Sequence, residues 1–220
     1  MRTVGILGGM GPEATMLLMQ RVLRAVPASD DAGHVPLIVH QNPAVPSRIA
    51  RLIEGRGADP APVLAAMARS LETAGAEALA MPCNTAHAYA PQIIAAISVP
   101  FLDMRAATVA TLPKGHIAML ASPAVRLTGV FDEAFSQAGL TPVWPKDEGP
   151  VLALIRRVKA GKIDDDALTD MARLAADLSG QADHLLIACT ELSLLTDAIT
   201  HPFVDSLDCL VASIVSFAQG

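Results

Sequence analysis

Apolar residues along this chain fall into two kinds of run, and the two kinds take turns. Short aliphatic or β-branched stretches, with the length and composition of buried strands, lie near Thr3–Leu7, Pro36–His40, Ala78–Met81 and Val99–Leu102. Further ones lie near His116–Ala121, Leu140–Trp144, His184–Ala188 and Pro202–Val204. Between them run longer stretches with helical spacing. In the first half these are Pro12–Val26, Pro46–Glu54, Ala61–Ala74, Ala86–Ala96 and Arg105–Thr111. In the second they are Arg126–Gln137, Pro150–Ala160, Asp165–Leu178, Leu192–Ala198 and Leu207–Ala218. Such alternation predicts α/β units built on parallel sheets. Pro12 suits a first helical turn, where its missing N–H has no partner to lose. Gly75 and Gly139 stand where helices end.

The pattern also repeats. Val4-Gly5-Ile6-Leu7-Gly8-Gly9, with Thr15 further on, is mirrored by Ile117-Ala118-Met119-Leu120-Ala121-Ser122, with Thr128 at the same interval. Each half then runs through an apolar strand into a cysteine. Glu77–Met81 leads into Pro82-Cys83-Asn84-Thr85-Ala86-His87, and His184–Ala188 leads into Cys189-Thr190-Glu191-Leu192. The repeat implies two similar α/β domains: residues 1–112 with a returning helix at 206–220, and residues 113–205. Thr111–Gly115 is the link between them. Halves packed face to face would set one thiol on each side of a shared cleft. That arrangement can take a proton from one face of a carbon and return it to the other.

Composition narrows the field. Hydrophobic residues make up 52% and aromatic residues 3%, so the core is expected to be aliphatic. A net charge of −6, with no cluster of Lys and Arg, argues against nucleic acid as a partner. No apolar stretch reaches the ~20 residues of a membrane span. The chain enters a strand at once, which leaves no room for a secretory signal, and its three cysteines lack a disulfide framework. A cytoplasmic protein is expected.

Ligands of open parallel sheets bind beyond the carboxyl ends of the strands. Gly8–Ala14, Gln41–Arg48, Pro82–His87, Ser122–Thr128 and Cys189–Glu191 are loops of that kind, and they hold most of the polar side chains suited to a small molecule. Gly9-Met10-Gly11-Pro12-Glu13-Ala14 fits a dinucleotide glycine pattern, yet the second strand ends in His40-Gln41-Asn42 without the acid that ribose recognition needs. Backbone N–H groups around Met10 and Gly11 are better suited to a substrate carboxylate. Cys83 and Cys189 occupy equivalent positions before helix starts, where a thiol is expected to ionise more readily. No ligand spacing for a metal accompanies them. Cys209 lies in an apolar helical pattern and reads as core. Arg48, after the stiff Asn42–Ser47 loop, is either a bidentate carboxylate partner or a solvated helix-start arginine. His40 and His87 read as structural, and Lys159 as a residue near a helix end.

Taken together, the stretches Gly5–Thr15, Asn42–Arg48, Met81–His87, Val158–Gly161 and Ala188–Glu191 resemble the aspartate/glutamate racemase family, in its aspartate racemase-like branch. The resemblance implies two Rossmann-like or flavodoxin-like domains with parallel four-stranded sheets related by a pseudo-twofold axis. It also implies a homodimer and racemisation of an acidic α-amino acid without metal, flavin or pyridoxal cofactor. By position, Cys83 and Cys189 correspond to the two acid/base thiols. Asn84, Thr85 and Thr190 correspond to ligands of the α-carboxylate and amino group, with Met10, Gly11, Ser122 and Glu191 around the substrate. Arg48 and Lys159 correspond to contacts with the side-chain carboxylate. One stretch departs from the family's Thr-x-Gly-Thr loop: here it reads Ser122-Pro123-Ala124-Val125, and Phe131 replaces the usual tyrosine beyond it. Related chemistries with the same implied fold are hydantoin racemisation, maleate isomerisation and decarboxylation of malonate derivatives. Binding of an amino acid without catalysis is a further alternative.

Overall fold

In each half, successive strand residues point to opposite faces, and helices cover both faces. Val4 and Ile6 pack on one side of the first sheet while Leu7 packs on the other. Ala118 and Leu120 likewise oppose Ile117, Met119 and Ala121 in the second. Strands buried on both faces read as continuous apolar runs, as parallel sheets require. A computed structural model describes all 220 residues.

Strands β1 (Val4–Gly8), β2 (Leu37–Gln41), β3 (Ala78–Ala80) and β4 (Phe101–Leu102) form a parallel sheet of order β2-β1-β3-β4. Strands β5 (His116–Ala121), β6 (Thr141–Val143), β7 (His184–Ala188) and β8 (Phe203–Asp205) form a second, of order β6-β5-β7-β8. The topology is the same in both, and is the flavodoxin-like order reduced to four strands. Helices α1 (Pro12–Ala25), α2 (Arg48–Leu52), α3 (Ala61–Thr73), α4 (Ala90–Ile94) and α5 (Met104–Thr111) belong to the first half of the chain. Helices α6 (Pro123–Thr128), α7 (Asp132–Ala138), α8 (Gly149–Lys159), α9 (Asp165–Ser179) and α10 (Ser206–Gln219) belong to the second. Leu207, Leu210, Val211 and Ile214 of α10 pack with Val4, Ile6, Leu18 and Val22, so the last helix returns to the first sheet. No helix is long and apolar enough to cross a membrane.

Three predicted helices take a different form. The stretch Ala86–Ala96 is a 3-10 turn, Thr85–Tyr89, joined directly to α4. Pro91 has no N–H to continue an α-helical ladder and instead occupies the first turn of α4. Arg126–Gln137 is broken at Gly129, which has φ of 60° and ends α6 before α7 begins. Leu192–Ala198 is a 3-10 helix, its entry fixed by Leu192 N–H donating to Cys189 O (2.9 Å). The strands predicted over Val99–Leu102 and Leu140–Trp144 are shorter, Phe101–Leu102 and Thr141–Val143.

Candidate active site

The alternation of β3 and β7 runs on beyond each strand and delivers a cysteine, three residues after β3 and one after β7. Leu79, Met81 and Cys83 share one packing face, and Leu185, Ile187 and Cys189 share the corresponding face of the other sheet. Both thiols are nearly buried, 7% and 6% exposed, and both open onto a single cleft of about 230 Å³ between the halves. The two sheets therefore present equivalent strand ends to one cavity.

Around the thiols, the cleft gathers most of the residues singled out in the sequence. Met10, Gly11, Arg48 and Thr85 line it from the first half, and Ser122, Lys159 and Glu191 from the second. Asn84 and Thr190 do not line it. Thr190 is 1% exposed, and its hydroxyl donates to Pro82 O of the other half (3.0 Å). Asn84 is 2% exposed and donates from Nδ2 to Ser206 Oγ (2.9 Å), while its Oδ1 accepts nothing. Both brace the cysteine loops from behind the cleft wall.

Glu191 is the electrostatic hub. One carboxylate oxygen accepts from the Cys189 thiol (3.2 Å) and the other is paired with the Lys159 ammonium. Burial first, and then the negative charge of Glu191, push the Cys189 thiol well above its ordinary range, and Lys159 does not overcome them. This corrects the expected helix-start activation of that cysteine. Cys189 leads into a tight 3-10 turn rather than an α-helix with an aligned dipole, and the facing carboxylate opposes ionisation. Lys159 behaves in the complementary way. Burial works to lower its pKa, but the charge and hydrogen bond of Glu191 outweigh burial and hold it above its ordinary range.

The glycine loop is braced from within. Gly9 N–H donates to Thr15 Oγ1 (2.9 Å), and that hydroxyl donates to Gly11 O (3.1 Å), so the Gly9 amide is not free for a substrate. Gly9 has φ of 92°, and a Cβ there would meet the Asn42 backbone at 2.4 Å. Arg48 donates to Val45 O (3.2 Å), Pro46 O (2.8 Å) and Met10 O (3.4 Å), tying its loop to the glycine loop, and makes no ion pair. Ser122 Oγ accepts from Ala124 N–H (3.3 Å) as the cap of α6. Glu13, which nothing in the sequence pattern marks out, also lines the cleft. An acid in the first turn of a helix has an ordinary explanation in the helix dipole, so only the fold distinguishes it. No three His, Cys, Asp or Glu side chains converge as metal ligands would.

The family model described as Asp/Glu/Hydantoin racemase matches residues 7–214. The chain belongs to that family. Membership makes it an isomerase, and the paired thiols lie where the two halves of this racemase-family fold meet. A relative in Bacillus subtilis (strain 168), the broad specificity amino-acid racemase RacX, is 29% identical over 224 residues, 97% of this chain and 96% of its own. Among solved structures, an aspartate racemase from Picrophilus torridus gives a TM-score of 0.90 at 25% identity, over 100% of this chain and 95% of its own. A glutamate racemase from Thermus thermophilus gives 0.67 at 18%, over 99% and 80%, a likeness of fold.

Proposed function

We propose that this chain interconverts the enantiomers of an α-amino acid, the acidic amino acids among them, with Cys83 and Cys189 as its two acid/base groups. The observation that carries the reading is the opening of two thiols, from equivalent strand ends, onto one cleft. In one direction the Cys83 thiolate removes the α-proton and Cys189 delivers its S–H proton to the opposite face. The product then leaves with Cys83 protonated and Cys189 ionised, and the roles reverse for the other enantiomer. The high pKa direction at Cys189 supports its part as the resting acid. Arg48, a cation without a carboxylate partner, supports binding of a substrate carboxylate and of the negative charge that grows on it as the proton leaves.

Proton NMR in D2O tests this directly, by following loss of the α-proton signal together with inversion. Cys83→Ser and Cys189→Ser are each expected to lower racemisation by ~10²–10⁴-fold, the usual worth of a positioned acid or base. Each variant is expected to exchange the α-proton of only one enantiomer, and the two variants opposite ones. Near-native racemisation by Cys189→Ser would sink the two-thiol mechanism.

A further inference from the structure

Four charged side chains line the cleft, and two of them neutralise each other: Lys159 and Glu191 are paired. The remaining two, Arg48 and Glu13, make no ion pair with any residue of the chain. Arg48, which the family resemblance places at a side-chain carboxylate, can instead take the α-carboxylate that every amino acid carries. Glu13 then stands as an uncommitted anion on the cleft wall, open to a cationic side chain.

Its position is well defined. Glu13 Oε2 lies 3.4 Å from the point where a Cβ on Gly11 would sit, with Glu191 Oε1 at 3.5 Å and Lys159 Nζ at 3.9 Å from the same point. Two carboxylates and one ammonium thus converge across Gly11, an excess of negative charge. The loop that brings Ser122 to the cleft offers a second carboxylate little. In the Ser122–Val125 loop, Val125 N–H donates to Ser122 O (2.8 Å) and Ala124 N–H to Ser122 Oγ (3.3 Å), and Pro123 has no N–H. With Arg48 on the α-carboxylate, a dicarboxylic substrate would have to displace Glu191 from Lys159 or lie against Glu13, like charge on like charge.

We propose that Glu13 is a specificity-determining residue. It extends the substrates of this site to α-amino acids whose side chain ends in a cation, of which lysine is the simplest probe, and disfavours a second carboxylate. The inference rests on the racemase reading and adds the class of side chain to it. The terminal ammonium would pair with Glu13 and leave the Lys159–Glu191 pair intact. The catalytic thiols act on the α-carbon in the same way for either kind of side chain.

The experiment compares lysine and aspartate on the full-length protein and on Glu13→Gln, measuring calorimetric binding and α-proton exchange in D2O. In the unaltered protein, lysine is expected to bind and to exchange at least as fast as aspartate. Glu13→Gln is expected to lower lysine exchange ten-fold or more and to raise that of aspartate. Should Glu13→Gln fold poorly, Glu13→Asp, with its carboxylate drawn back, is expected to weaken lysine binding in the same sense. An unaltered protein that exchanges aspartate and ignores lysine overturns the inference, as does a Glu13 variant in which both substrates change equally. Lysine binding that depends on Glu13, without any proton exchange, would uphold the inference and sink the racemase reading instead. Failure of lysine to bind at all overturns the inference whatever happens to exchange.

Discussion

A thiol enclosed by hydrocarbon and facing a carboxylate holds its proton, which suits Cys189 to giving one up only when a stronger base develops beside it. A developing carbanion is such a base. Behind the other thiol the chain uses a buried histidine for position alone. His87 is fully buried, its Nδ1 bonded to Cys83 O (2.8 Å) while its Nε2 accepts from Met104 N–H (3.3 Å). That pattern requires the neutral ring, and burial, against the pull of Asp103, lowers its pKa from 6.5 to about 4. Because the folded value lies below the unfolded one, the unfolded chain binds a proton that the native state excludes throughout that window. Stability is therefore complete above pH 6.5 and is lost as pH falls toward 4, by about 3 kcal/mol in all. Urea denaturation at both ends of the window should show this loss, and His87→Gln should remove most of it. An identical loss in the variant would assign the acid sensitivity to other groups.

Among the elements, strands are more legible than helices, for a physical reason. The central strands β1, β3, β5 and β7 are buried on both faces and bounded by turns, so composition alone marks them, and the cysteines fall on the alternation that runs on beyond β3 and β7. Helix form depends on hydrogen bonds that hydropathy does not record. Pro91 and Gly129 are visible in the sequence as interruptions, but the apolar spacing runs through both, and it masks the breaks. The 3-10 form after Cys189 has no compositional mark at all, which is why helix-start activation of that thiol is the natural expectation from sequence. In the site, the polar loop residues are legible by position, whereas the partners of Thr190, Asn84 and Lys159 come from distant segments and emerge only on folding. Helix ends also allow a controlled test of backbone strain. Gly139 ends α7 at φ of 69° with nothing within 4 Å of an added Cβ, so Gly139→Ala should lower stability by about 1 kcal/mol through conformation alone. Gly180 ends α9 at φ of −72° with ordinary contacts of 3.8 Å and beyond, so Gly180→Ala should raise stability by ~0.4–1 kcal/mol. Thermal or denaturant midpoints that move in the same direction for both would refute the conformational argument.

For the whole molecule, a cleft shared by two sheets works only if their relative position holds to within a hydrogen bond's tolerance. The chain fixes that position with polar ties between segments far apart in sequence. Arg21 of α1 donates to Asp205 Oδ2 at the end of β8 (2.6 Å) and to Ser193 O (2.8 Å). Ile49 of α2 packs against the core of the second sheet. The tie nearest the chemistry is Thr190 Oγ1 to Pro82 O, which joins the residue after one thiol to the residue before the other. Removing that hydroxyl in Thr190→Val leaves the buried Pro82 carbonyl without its donor, a loss of ~1–3 kcal/mol of stability. It also lets the two thiols shift relative to each other, so on the proposed two-thiol mechanism kcat should fall by about ten-fold or more, since small misplacements are costly at a reacting centre. KM should change little, because the hydroxyl faces the other half and not the cleft. Thr190→Ser keeps the donor and should recover most of both losses. Steady-state racemisation kinetics with denaturation midpoints on the two variants separates the alternatives. A raised KM with unchanged kcat and stability in Thr190→Val would return Thr190 to the role of a substrate ligand.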